Sequence, residues 1–67
     1  MEKRSVTLSG HRTSVALEPE FWDAVDHFAA TDGVSLAAFI ARIDQSRGER
    51  NLASAIRVAV LARLRGS

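Results

Sequence analysis

Residues 12–19, Arg12-Thr13-Ser14-Val15-Ala16-Leu17-Glu18-Pro19, alternate small or polar side chains with inward-type ones and then stop at a proline. Alternation with period two is the pattern of a half-buried strand. From Pro19 onward the sequence offers only helical patterns. A lone strand leaves its backbone N–H and C=O groups unmade, so this one needs a mate. The simplest mate is the same strand from a second copy of the chain, which gives a thin two-stranded ribbon shared by a homodimer.

The size of the chain points the same way. Its 67 residues allow one domain, and a chain this short buries only roughly 60% of the surface it exposes when unfolded. Disulfides, metals or oligomerisation usually make up the deficit. There is no cysteine, and the two histidines, His11 and His27, stand apart. Disulfides and a structural metal are therefore not expected, and no cofactor is implied. The 46% apolar content is ample for a folded core. No apolar run approaches the roughly 20 residues of a membrane span, and the N-terminal residues lack the apolar stretch of a secretory signal. A cytoplasmic location is the expectation.

Along the chain, residues 1–9 read as a basic arm. Val6 and Leu8 alternate with Ser5 and Thr7, but on even numbers, whereas Thr13, Val15 and Leu17 fall on odd ones. One straight strand cannot bury both sets, because parity fixes the face. The break falls at Ser9 and Gly10. It is a bulge, a kink or a hairpin turn, and a hairpin would let residues 5–8 partner residues 13–17 within one chain and remove the need for a second copy. A first helix is expected from about Pro19 to Asp32, with proline at its first position and Gly33 ending it. Phe21, Val25, Phe28 and Ala29 form its buried stripe, with Trp22 at the edge. A second helix opens at the N-cap Ser35 and presents Leu36, Phe39, Ile40 and Ile43. A third opens at Asn51 and runs to about Arg65. It is apolar over most of its circumference, a second hint of cover by a neighbouring chain. No internal repeat or low-complexity tract stands out.

Net charge is only +1, but it is segregated. Residues 1–17 carry +2, residues 18–33 carry −5 with no Lys or Arg, and residues 34–67 carry +4. An acidic middle between basic ends suits a polyanion-binding face, or is simply solvated helix charge.

Strand, proline-opened helix, glycine turn and serine-capped helix resemble the ribbon-helix-helix family over residues 12–43. The segment Gly10-His11-Arg12-Thr13-Ser14-Val15-Ala16-Leu17-Glu18-Pro19-Glu20-Phe21-Trp22 looks more specifically like that of short bacterial members. The resemblance implies a mostly α fold with one short strand, β-α-α plus an additional C-terminal helix. It also implies an intertwined homodimer whose intermolecular antiparallel ribbon enters the major groove of double-stranded DNA, and a transcriptional regulator, repressor or antitoxin. On this reading residues 10–47 are the core, and residues 48–67 are a loop and the added helix. Asn51-Leu52-Ala53-Ser54-Ala55-Ile56-Arg57 also looks like the family's second helix, which would make residues 34–47 an insertion.

Thr13, Val15 and Leu17 share the strand face suited to a core, which leaves Arg12, Ser14 and Ala16 to face bases. Arg12 offers the bidentate pair with guanine O6 and N7, Ser14 donates or accepts, and Ala16 touches a thymine methyl. The alternative for Arg12 is an ion pair with Glu18 or Glu2. Phosphate contacts are expected from Lys3 and Arg4 on the arm, from His11, and from the backbone amides of Val34, Ser35 and Leu36 at a helix start. Asp23 and His27 lie four apart, but no third ligand, nucleophile motif or phosphate loop accompanies them, so an enzyme is not expected. The other reading is a protein-interaction module or toxin-neutralising antitoxin on the same dimer, docking through the ribbon or through Leu61 beside Arg57.

Overall fold

Ser9 and Gly10 both adopt positive φ, 51° and 80°, the combination that a tight two-residue hairpin turn demands. In the computed structural model, which describes residues 1–66, this turn joins strand β1 (Glu2–Leu8) to strand β2 (His11–Leu17). The strands pair antiparallel from Leu8 opposite His11 to Glu2 opposite Leu17. A two-residue turn always sets an even position against an odd one, so Val6 and Leu8 share a face with Thr13, Val15 and Leu17. The phase break is the turn itself.

The mate of the second strand is therefore residues 2–8 of its own chain. The intermolecular ribbon expected from the sequence is corrected to an intramolecular hairpin, and the basic arm to a strand. The physical reason is proximity. Closing a two-residue turn fixes few backbone angles, whereas pairing two chains also forfeits translational and rotational freedom.

Three helices follow: α1 (Pro19–Asp32), α2 (Leu36–Ser46) and α3 (Leu52–Gly66). Pro19 opens α1. Gly33, at φ 70°, ends it: the N–H of Gly33 donates to the Ala30 carbonyl at 3.1 Å and that of Val34 to the Ala29 carbonyl at 3.0 Å, the Schellman pattern. Ser35 Oγ accepts from the Ala38 amide at 3.1 Å, and Asn51 Oδ1 from the Ser54 amide at 2.8 Å. Both helix starts are thus capped as their sequences require.

One core draws on every element: Val6, Leu8, Val15 and Leu17 from the ribbon, Trp22, Val25 and Ala29 from α1, Phe39 and Ile40 from α2, Ile56 and Val60 from α3. The stripe of α1 differs from the expected one. Trp22 is fully buried at its centre, and Phe21 and Phe28 are half-buried at its flanks. Trp22 Nε1 donates to the Glu2 carbonyl at 2.7 Å, which satisfies the indole and pins β1 to α1. On α3, by contrast, Val58, Leu61 and Leu64 remain 42–62% exposed. Among the described residues no helix is long and apolar enough to cross a membrane.

Candidate nucleic-acid interface

Burying one face of the hairpin leaves the other to solvent. The outer face holds three cross-strand pairs, Lys3 with Ala16, Ser5 with Ser14 and Thr7 with Arg12. All are exposed except the half-buried Ala16. Arg12, Ser14 and Ala16 thus share the outward face, as parity required, and the hairpin adds Lys3, Ser5 and Thr7 beside them. Each long cation faces a small side chain across the ribbon, so no bulky group holds a ligand away from the backbone.

Electrostatics separates the cations into two groups. Arg4 lies on the inner-face parity with Val6 and Leu8. Its guanidinium donates to both carboxylate oxygens of Asp26 at 2.9 and 3.2 Å and to Glu2 at 2.9 Å, and it stacks on Trp22, 4.6 Å from the ring centroid. Those hydrogen bonds, Asp26 first and Glu2 second, raise its pKa above the ordinary arginine value. Arg57 reaches back to Glu18 at 2.9 and 3.3 Å, and that contact holds the Glu18 carboxyl below the usual range. Arg63 clamps Asp32 at 2.5 and 2.8 Å, and Arg42 joins it at 2.8 Å. Arg47 pairs with Asp44.

Much of the charge segregation seen along the chain is therefore spent inside the fold, with arginines of α3 clamping acids at both ends of α1. Glu2 and Glu18, the alternative ion-pair partners of Arg12, are engaged by Arg4 and Arg57. Among the described residues Lys3, Arg12, Arg50 and Arg65 have no carboxylate partner, and two of these, Lys3 and Arg12, stand on the outer face of the ribbon.

The remaining phosphate candidates are dispersed. His11 is exposed at the turn end of the ribbon, opposite Leu8. The Val34 amide is consumed by the cap of α1. Ser35 uses its hydroxyl as the N-cap of α2, leaving the amides of Ser35, Leu36 and Ala37 at that terminus.

A two-stranded ribbon with a polar, cationic outer face, backed by helices in this order, has a counterpart among known families. The model of the family described as "Ribbon-helix-helix domain" matches residues 1–64. The chain belongs to the ribbon-helix-helix family. No curated protein matches it, and no solved structure does. Ribbon-helix-helix domains are DNA-binding regulatory modules, and here the matched stretch takes in both strands and α3. Lys3, Ser5 and Thr7 are the outer-face residues that the single-strand reading of a ribbon-helix-helix chain passes over. The signal for them is the parity of residues 3, 5 and 7, once a two-residue turn is assumed.

Proposed function

We propose that this ribbon-helix-helix protein is a sequence-specific double-stranded DNA-binding regulator of transcription, repressor-like, that lays the outer face of its hairpin in the major groove. The observation that carries the reading is the pairing of Lys3 and Arg12, both without carboxylate partners, with small side chains on an exposed ribbon whose other face is anchored in the core. Neighbouring strands lie ~4.8 Å apart, and the major groove, about 12 Å wide, admits such a ribbon. Arg12 is the bidentate guanine reader, Ser14 a hydroxyl contact, and Ala16 a surface for a thymine methyl. His11 and the amides of Ser35 and Leu36 are phosphate contacts; Arg4, held by Asp26 and Glu2, is a strut beneath the ribbon. Gel-shift titration of duplexes selected from a random library tests this. Wild type binds with affinity that falls steeply with salt, and Arg12→Ala keeps its fold but loses roughly 1–3 kcal/mol of discrimination. Equal affinity of Arg12→Ala for the selected duplex refutes the assignment.

The homodimer belongs to this proposal, but through a different surface. With the ribbon closed inside one chain, the exposed Val58, Leu61 and Leu64 of α3, which border a groove also lined by Phe21 and Val60, are the apolar face that a second copy would cover. Two ribbons then address an inverted repeat. The same face favours a second reading, in which another protein, such as a toxin, occupies it.

A further inference from the structure

Superposing the strands by their pairing exposes a repeat that a linear scan passes over. Lys3-Arg4-Ser5-Val6-Thr7-Leu8 recurs nine positions later as Arg12-Thr13-Ser14-Val15-Ala16-Leu17. Serine, valine and leucine are identical, and a cation leads each copy. The register turns this repeat into a symmetry. Lys3 pairs with Ala16, the equivalent of Thr7, and Thr7 pairs with Arg12, the equivalent of Lys3. A local two-fold axis therefore passes between Ser5 and Ser14, which face each other. Antiparallel pairing of near-identical strands produces such an axis only when the turn sets this register, as Ser9 and Gly10 do.

The inner-face likeness has a packing cause, since Val6, Val15, Leu8 and Leu17 must all be buried. The outer-face likeness has none. Lys3, Arg12, Ser5 and Ser14 are exposed and touch no core, so burial does not account for a cation at each end of a serine pair. An exposed two-fold arrangement of donors is what a ligand with its own two-fold axis would select, and duplex DNA has a dyad at its base pairs and steps.

We infer that the hairpin of one chain is a complete pseudo-two-fold reading head, in which Lys3 reads bases as the symmetry mate of Arg12. This inference rests on the DNA-binding reading above. Measured along the ribbon, Lys3 and Arg12 lie four residues apart, or about 14 Å at ~3.4 Å per residue. That span covers roughly four base-pair steps at ~3.4 Å each. One ribbon thus addresses a short, near-symmetric element with a preferred guanine toward each end, on opposite strands, without a second chain completing the ribbon.

The test is selection of duplexes from a randomised library by wild type, Lys3→Ala and Arg12→Ala. Affinities are then measured for duplexes with every single base pair replaced, and circular dichroism confirms that each variant is folded. Wild type is expected to discriminate at two dyad-related positions. Arg12→Ala loses about tenfold discrimination at one of them and Lys3→Ala at the other, whereas Lys3→Arg keeps both. A selective wild type whose Lys3→Ala variant retains every base preference, or weakens equally on all duplexes, overturns Lys3 as a reader and leaves DNA binding standing. A wild type that enriches no duplex overturns the DNA-binding reading, and this inference with it.

Discussion

Replacing Trp22 by phenylalanine should cost about 2–3 kcal/mol and loosen β1 before any other element. Trp22 is fully buried, so the change acts through three contacts. The Nε1 hydrogen bond to the Glu2 carbonyl at 2.7 Å disappears, a loss of about 1 kcal/mol. The Arg4 guanidinium, 4.6 Å from the indole centroid, faces a weaker ring, a loss of up to ~0.5 kcal/mol. The smaller ring leaves roughly 40 Å³ unfilled, which at ~24 cal/mol per Å³ is about 1 kcal/mol. A 67-residue domain has only ~3–10 kcal/mol of stability in total, so the effect is large. Urea denaturation followed by circular dichroism should show the midpoint falling by about 2–3 M for a slope near ~1 kcal/mol/M. Hydrogen exchange should show the amides of Glu2–Leu8 losing protection first, because the indole is what ties that strand to α1. A loss below ~0.5 kcal/mol with unchanged exchange in β1 would mean that Trp22 fills space without holding the ribbon.

Three further outcomes follow from local features. Ser9 sits at φ 51°, a region costly for serine but tolerated by asparagine, so Ser9→Asn should raise the thermal midpoint, with a gain of up to about 1 kcal/mol; an unchanged midpoint contradicts the turn assignment. The hydrogen bonds of Arg63, and after them Arg42, hold the Asp32 carboxyl well below its ordinary range. The folded state thus binds this proton more weakly than the unfolded one. The associated stability is present above about pH 4, the unfolded value, and is withdrawn as pH falls from there toward the folded value. Thermal melts across the acid range should accordingly be less pH-dependent in Asp32→Asn than in wild type. Finally, Leu61→Asp should reduce the sedimentation mass from that of a dimer to that of one chain, whereas a wild type that sediments as a single chain removes the proposed α3 interface.

What could be read from sequence was what local chemistry decides. Pro19, Gly33, Ser35 and Asn51 mark helix limits because proline geometry, positive φ and side-chain caps act within a few residues, and the structure places each limit there. The outward direction of Arg12, Ser14 and Ala16 was equally legible, since a strand's parity is fixed once one face is buried. The partner of that strand was not, because alternation reports that a face is buried and nothing of what pairs along the edge. The phase break at Ser9 and Gly10 admitted either answer, and only the register at the turn decides it. The position of Trp22 was lost for a related reason. On α1 the positions of Trp22, Val25 and Ala29 and those of Phe21, Val25 and Phe28 both follow helical spacing, and the choice depends on where the ribbon lies. Arg4 looked like a free cation because its partner, Asp26, is 22 residues away.

A ribbon assembled from two copies of one chain carries every substitution twice, because a single codon supplies both strands. Here each strand of the hairpin has its own codons, and the two differ at Lys3 against Arg12, Arg4 against Thr13 and Thr7 against Ala16. One point mutation can therefore retune one end of the ribbon while the other stays as it was, a route to asymmetric targets that an obligately symmetric ribbon does not have.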